Sequence, residues 1–229
     1  MLKQKLLLFM AMFCFMAVPL LAHETGLQIA PNLYLGASGA DFTYWSGSTL
    51  GIIVGGDSTL WGDPSSDVGG AGGLGIDFRY FVNENVALNT GLDAIYKSFT
   101  VTYPAISAID DLTIEFGTTY LIIPIGIRMY FDYFFIGGGA YYGMSGDTEG
   151  ELTYTSIYGT ETIKETLNFD DDFGLYIDLG LDIPLSDQVS LELGMRYERG
   201  LVTVYEEDDI VTDIKTRALL FNIGLCVFI

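Results

Sequence analysis

The sequence has very little histidine and cysteine. His23 is the only histidine, and the two cysteines are Cys14 and Cys226. A serine-histidine-aspartate triad or a histidine-rich metal site needs histidines inside the fold, so the composition argues against both. We therefore expect no catalytic residue, no cofactor and no enzymatic activity. A carboxylate pair acting as acid and base is the alternative that composition leaves open, and Asp178 with Asp182 is the obvious pair.

Positive charge is also scarce. The chain carries 10 Lys and Arg against 30 Asp and Glu, a formal net charge of −20. Such an acidic chain is repelled by phosphate backbones, which argues against nucleic acid as a partner. The same argument applies to anionic phospholipid as an electrostatic partner.

A long apolar run occurs only at the start of the chain. Residues 6–18 form an unbroken apolar run behind Lys3 and Lys5, and Pro19 ends it. The run is shorter than the roughly 20 residues of a spanning helix, and Ala22 offers a cleavage site, so 1–22 is predicted to be a secretory signal peptide. An uncleaved anchor is the alternative. Residues 23–229 would then form one domain with a charge of 8 minus 30, or −22.

Period-two patterning runs through the rest of the chain. In 173–183 every odd position is a large apolar residue, and every even position is Gly, Tyr or Asp. This alternation is typical of a β-strand with two unlike faces. We identify eight such segments: 27–37, 70–81, 86–99, 114–130, 133–143, 173–183, 188–200 and 216–229.

The second face of these segments combines glycine with charges of both signs. Glycine is unfavourable inside strands, so its abundance indicates a cramped, curved surface. An eight-stranded barrel has an interior just wide enough for side chains, and buried charges must be paired. We predict a polar network inside the barrel, formed by Asp77, Arg79, Asp93, Lys97, Arg128, Asp178, Asp182, Glu192, Arg196 and Glu198. A conducting path or an active site is the alternative.

The connections alternate in length. Tight turns are predicted at 82–85, at Asp132 and at 184–187, whereas about 38–69, 100–113, 144–172 and 201–215 are long. This alternation predicts an all-β fold, an eight-stranded antiparallel up-and-down transmembrane barrel with short periplasmic turns and long extracellular loops.

Period two alone does not tell which face is inside. A soluble lipocalin-like barrel would turn the apolar face inward. Aromatic pairs beside the tight turns, at 80–81, 130–131 and 133–134, favour the opposite arrangement, because they resemble the interfacial girdle of a membrane barrel. Pro124 interrupts the fourth segment and cannot donate a ladder hydrogen bond, so we expect a bulge or bend there.

The chain resembles the small outer-membrane β-barrel domain family, which is PorT-like and more distantly similar to the OmpA barrel. The resemblance rests on residues 120–127, 137–142 and 196–201 and on the closing strand to Phe228-Ile229. It implies residence in the outer membrane, contact with outer-membrane lipid, insertion by the outer-membrane assembly machinery, which reads the last strand, and a monomeric barrel. The family has no shared catalytic residues to transfer.

The long connections are strongly acidic. Clustered carboxylates can bind Ca²⁺ or Mg²⁺, although no run here matches an EF-hand loop. The metal candidates are Asp170, Asp171, Asp172, Glu206, Glu207, Asp208 and Asp209. A solvated, charge-repelling outer surface is the alternative. The first loop holds an apolar stretch at 50–54, which would either extend the wall or form a binding patch.

These observations predict a non-enzymatic outer-membrane barrel that displays acidic loops for surface interaction, adhesion or envelope integrity. An extracellular ligand or surface partner would bind these loops. A small porin or transport-associated barrel is the first alternative, and a soluble periplasmic lipocalin-like ligand-binding barrel is the second.

Overall fold

A computed structural model describes residues 26–43, 65–103, 109–156, 159–167, 169–207 and 211–229. These residues form ten strands: β1 (Leu27–Thr43), β2 (Ser65–Asn83), β3 (Val86–Tyr103), β4 (Ile109–Phe131), β5 (Phe134–Ser156), β6 (Gly159–Leu167), β7 (Asp172–Pro184), β8 (Val189–Gly200), β9 (Tyr205–Glu207) and β10 (Val211–Phe228). Within the described ranges, no helix is long and apolar enough to cross a bilayer.

Eight of the strands close into an antiparallel barrel. The order is β1-β2-β3-β4-β5-β7-β8-β10, and β10 returns to pair with β1, from Gln28 opposite Phe228 to Thr43 opposite Thr212. The short strands β6 and β9 add to β5 and β10 at one end. The predicted eight-stranded up-and-down barrel is confirmed, and its closure leaves no open edge within the wall.

Tight turns join β2 to β3, β4 to β5 and β7 to β8 at one end of the barrel, which we call the turn end. Asn83 accepts a hydrogen bond from the backbone N–H of Asn85 at 2.9 Å, a typical Asx turn. Asp132 has φ of 53°, a left-handed conformation that short polar side chains tolerate. The other end, which carries the longer connections, we call the loop end.

At the loop end the strands continue well beyond the segments that the apolar pattern marks. β3 reaches Tyr103 and β4 begins at Ile109, so strand structure occupies most of 100–113. Residues 144–172 also hold strand structure, because β5 runs on to Ser156 and β6 pairs back onto it. The barrel wall is therefore taller than its apolar band.

The apolar face points outward. Along β7, Leu175, Ile177, Leu179 and Leu181 are exposed, whereas the intervening side chains face the interior and Asp178 is buried. A soluble lipocalin-like barrel requires the reverse orientation, so the second alternative is ruled out.

The bulge expected at Pro124 is wrong. β4 passes Pro124 without a bulge: Thr90 pairs with Ile125 and Asp93 with Ile122 in one unbroken register. The missing N–H interrupts the ladder without shifting it, and the irregularity next to β5 lies instead between Thr118 and Tyr120.

The aromatic residues beside the turns divide between the two faces. Phe131, Tyr133 and Phe134 are exposed at the outer face, as an interfacial girdle requires. Tyr130 instead points inward and packs with Phe135. This aromatic group closes the barrel interior at the turn end.

Candidate functional site

The charged interior is the most elaborate side-chain arrangement in the described structure. The barrel brings nine of the ten predicted network residues together as buried side chains: Asp77, Arg79, Asp93, Lys97, Arg128, Asp178, Glu192, Arg196 and Glu198. Asp182 lies apart near the turn end and is partly exposed. The inward positions of five different strands supply these groups, because alternate residues of each strand face the axis.

Glu192 of β8 is the centre of the layer nearest the turn end. It lies 2.6 Å from Arg79 Nη1 and 2.9 Å from Arg128 Nη1, and it accepts a hydrogen bond from Asn222 at 2.8 Å. Arg128 also binds Asp178, with Nη2 at 2.5 Å from Oδ2. These contacts join five strands across the barrel axis, so the layer braces the wall from within.

Arg196 forms the next layer. Its guanidinium lies 2.8 Å from Asp93 and 3.8 Å from Asp77. The rings of Tyr34 and Tyr176 approach it at 5.3 and 5.1 Å from the guanidinium carbon to the ring centroids, which is cation–π distance. The charge is thus held between carboxylates and aromatic faces, all of them on buried side chains.

Lys97 occupies a third layer, closer to the loop end. Its ammonium lies 2.8 Å from Glu198 and 3.8 Å from Asp172. The rings of Tyr120 and Tyr141 stand at 5.4 and 5.2 Å from Nζ. The layer repeats the arrangement around Arg196, with one cation between two carboxylates and two tyrosine rings.

Aromatic residues cover the network at both ends. Phe99 and Phe116 stack at 5.0 Å, and Phe169 lies 6.4 and 6.1 Å from them, on the loop-end side of Lys97. At the turn end, the Arg128 guanidinium lies 4.3 Å from the centroid of Phe135. Among the described residues, charged groups and rings are buried at successive levels from Phe135 to Phe169.

Inward glycines make room for these side chains. A Cβ added at Gly75 would lie 1.9 Å from the Asp93 carboxylate, and one at Gly137 would lie 2.2 Å from that of Asp178. A Cβ at Gly70, whose position faces outward, would meet nothing within 4 Å. The glycines of the inner face thus leave space for the charged side chains. This explains why the sequence has so many glycines on the face that lines the interior.

The structure disperses the first group of predicted metal candidates. Asp172 is buried in the barrel, where it accepts hydrogen bonds from Tyr141 at 2.9 Å and Thr216 at 2.5 Å. Asp171 accepts hydrogen bonds from the Tyr142 hydroxyl and the Ser145 backbone, and Asp170 is exposed. No group of three His, Cys, Asp or Glu side chains suited to a metal ion occurs in the part of the chain that the structure describes.

The second group lies at the loop end. Glu206 and Glu207 belong to β9, whereas Asp208 and Asp209 lie outside the described residues. The apolar stretch 50–54 and His23 also lie outside them. The metal sites and the first-loop patch therefore stay predictions.

Sequence reasoning missed several partners of the charged groups. Strand parity would have found them, since Asn32 and Tyr34 alternate with the apolar residues of β1, and Asp172 is in phase with Asp178 in β7. The buried polar partners that the prediction omitted are Gln28, Asn32, Tyr34, Tyr120, Tyr141, Asp172, Tyr176, Thr216 and Asn222.

A closed antiparallel barrel with an apolar outer face and a charged, filled interior is the architecture of a small integral outer-membrane protein. Residues 7–225 match the family model described as outer membrane protein beta-barrel domain, and the chain belongs to this family. The protein is located in the outer membrane, with its turn end on the periplasmic side and its loop end outside the cell.

Solved outer-membrane proteins are similar to this chain at low sequence identity. AlkL, determined in DMPC bilayers, is 14% identical with a TM-score of 0.50, covering 91% of this chain and 92% of AlkL. OprG from Pseudomonas aeruginosa is 12% identical with a TM-score of 0.45, covering 90% and 95%. Ail of Yersinia pestis is 12% identical with a TM-score of 0.36, covering 88% and 98%. No curated protein sequence matches the chain significantly.

Proposed function

We propose that this protein is a non-enzymatic, non-conducting barrel that presents an extracellular surface for interaction with a partner. The filled interior carries the proposal. Arg128, Arg196 and Lys97 each stand between carboxylates at successive levels of the lumen, and aromatic rings cover both ends. A solute would have to break buried ion pairs to pass, which is costly because the charges would lose their partners in a region of low dielectric constant.

The same contacts argue against catalysis. Asp178 is held by Arg128, with Nε at 2.7 Å from Oδ2, whereas Asp182 lies closer to the periplasmic end and is partly exposed. A carboxylate pair that works as acid and base needs access to a substrate. The position of Asp178 inside a filled barrel supports a structural role for it.

The tall wall on the outer side supports a role in surface interaction. β5 leaves β7 at Gly143 and continues for 13 residues to Ser156, on the order of 40 Å of strand. It remains paired with β4 on one side and with β6 on the other. The β5–β6 hairpin is therefore a supported structure beyond the membrane.

Planar-bilayer recording tests the closed interior. We expect the purified protein to be folded, as judged by heat-modifiable gel mobility, and to show no steady single-channel conductance after it inserts into the bilayer. A variant with Phe99, Phe116 and Phe169 changed to serine should also stay closed, because the ion-pair layers below remain. Steady conductance of the wild-type protein would contradict the proposal and support the small-pore alternative.

Shortening the hairpin tests the surface role. We expect that replacing residues 147–168 with a two-residue turn preserves barrel folding and detergent resistance of the cells and abolishes protein-dependent adhesion. A deletion of the whole gene is the control for envelope integrity. Detergent sensitivity in that deletion, with adhesion unchanged by the shortened hairpin, would assign the protein to envelope integrity instead.

A further inference from the structure

The basic residues outside the barrel interior are unevenly distributed. After residue 22 the chain has eight Lys and Arg, and four of them are buried in the lumen: Arg79, Lys97, Arg128 and Arg196. Lys164 lies in β6. The remaining three, Arg199, Lys215 and Arg217, lie on the neighbouring strands β8 and β10. Nearly all outward-facing positive charge is thus at one place.

These three residues and Asp41 form what we call the rim cluster. In strand register, Arg217 is opposite Arg199 and Lys215 is opposite Asp41. The Asp41 carboxylate lies 2.6 Å from Arg199 Nη2 and 3.2 Å from Arg217 Nη1. Both guanidinium side chains remain partly exposed, at 47% and 39%. One carboxylate therefore orients two arginines on the outer surface.

The rim cluster lies at the extracellular border of the apolar band. Leu175 pairs with Arg199 in register, and Tyr197 and Leu219 follow as the next outward positions toward the membrane. All three apolar side chains are exposed on the lipid-facing surface. The cations are therefore at the height where hydrocarbon gives way to lipid headgroups, and the acidic loops begin beyond them.

Local charge decides what the rim cluster attracts. The rim cluster contains three cations and one carboxylate, a local surplus of two positive charges on a chain whose formal net charge is −20. Exposed charges are screened over about 8 Å at physiological ionic strength, so a ligand at the rim responds mainly to this surplus. Asp213 precedes Lys215 by two residues in β10 and lies on its loop-end side, so a group in the membrane plane meets the cations first.

We propose that the rim cluster binds a phosphate on the headgroup of a phosphorylated glycolipid in the outer leaflet. Two neighbouring guanidinium groups match the geometry of phosphate oxygens, and the lysine adds a third donor. The exposed apolar residues directly below provide a surface for the acyl chains of the same molecule. Net charge alone argues against an anionic lipid, but the clustering of the cations at the headgroup level favours one.

Native mass spectrometry of the protein in a neutral maltoside detergent tests this site, with diphosphoryl lipid A as the probe. We expect the Arg199→Gln/Lys215→Gln/Arg217→Gln variant to bind lipid A about tenfold more weakly or worse, because charge-assisted hydrogen bonds are lost. Lys164→Gln is the control, because it removes one positive charge outside the rim cluster. This variant should bind diphosphoryl lipid A as tightly as wild type does. Dephosphorylated lipid A should bind wild type as weakly as lipid A binds the triple variant.

Three results would overturn the proposal. The first is that wild type and the triple variant bind diphosphoryl lipid A equally well. The second is that wild type binds dephosphorylated lipid A as tightly as diphosphoryl lipid A. The third is that millimolar inorganic phosphate displaces the lipid, which would indicate a site for a free anion. Heat-modifiable mobility confirms that each variant is folded. If the triple variant does not fold, Arg217→Gln alone should still weaken binding of the phosphorylated lipid and leave the dephosphorylated lipid unaffected.

Discussion

Replacing Arg128 with alanine is expected to lower the free energy of unfolding of the barrel by about 3–5 kcal/mol, the cost of leaving buried charges without a partner. Arg128 is fully buried and contacts both Asp178 and Glu192, which come from β7 and β8. It also covers the ring of Phe135. Its removal would therefore leave two carboxylates undercompensated and open a cavity at the periplasmic end.

Urea titration in phospholipid vesicles, followed by heat-modifiable mobility, measures this loss. The matched control is Arg199→Ala, which removes a partly exposed arginine from an ion pair with Asp41 and should cost about 0–1 kcal/mol. An Arg128→Met/Asp178→Leu variant should recover part of the lost stability, because an apolar pair replaces a broken ion pair. Unfolding of Arg128→Ala at the urea concentration of wild type would show that the network does not brace the wall.

The sequence predicts the membrane-spanning part of this fold well. Where one face meets lipid and the other meets a packed lumen, each strand must alternate sharply, as 173–183 does. That contrast reveals both the strand and its orientation, since a shift by one residue would place Asp178 in lipid. The charged residues of the interior follow from the same parity.

The alternation pattern does not predict the extracellular parts of the strands, and the reason is physical. Beyond the bilayer no strand face has to meet lipid, so in β5 and β6 a period of two carries little hydrophobic contrast. The remaining signal is β-propensity: Thr153, Thr155, Thr160 and Thr162 are β-branched residues in the two paired strands. This signal is weaker than alternation, and the acidic residues between the threonines resemble those of a loop.

Pairing inside the lumen is also beyond sequence reasoning. Arg196 binds Asp93, 103 residues earlier, because the barrel closure brings β3 and β8 across the axis from each other. Parity predicts that both side chains point inward, but not their heights along the axis. Asp172 is an example of a residue whose position the sequence does not reveal. Its acidic neighbours in the sequence suggest a carboxylate in a loop, but Asp172 is the first residue of β7 and lies inside the barrel.

The net charge of the chain also carries no information about where the charges lie. The overall charge of −20 suggests that the protein repels anionic lipid, but it averages the acidic loops with the rim cluster. Only the register of β8, β10 and β1 shows that Arg199, Arg217 and Asp41 are neighbours. For a membrane protein, the charge at the headgroup level is the relevant quantity, because screening limits the influence of distant loops.

Placing an arginine at Leu179 is expected to destabilise the barrel by about 2–4 kcal/mol, the cost of a cation on the lipid face near the bilayer midplane. Leu179 is near the middle of β7, exposed on the outer face between Ile136 and Met195 of the neighbouring strands. The guanidinium would lie in hydrocarbon, and its side chain would have to extend far to reach either headgroup layer.

The experiment requires vesicles, because detergent adapts to an added charge. Leu201→Arg is the matched control: Leu201 is equally apolar and exposed but follows β8 at the extracellular border, so this change should cost only about 0–1 kcal/mol. Because both variants introduce an arginine, the difference between their losses of stability reports the depth of the position in the membrane. Equal effects at both positions would mean that the outer face of β7 does not lie in hydrocarbon, and the orientation of every strand in the barrel would have to be reconsidered.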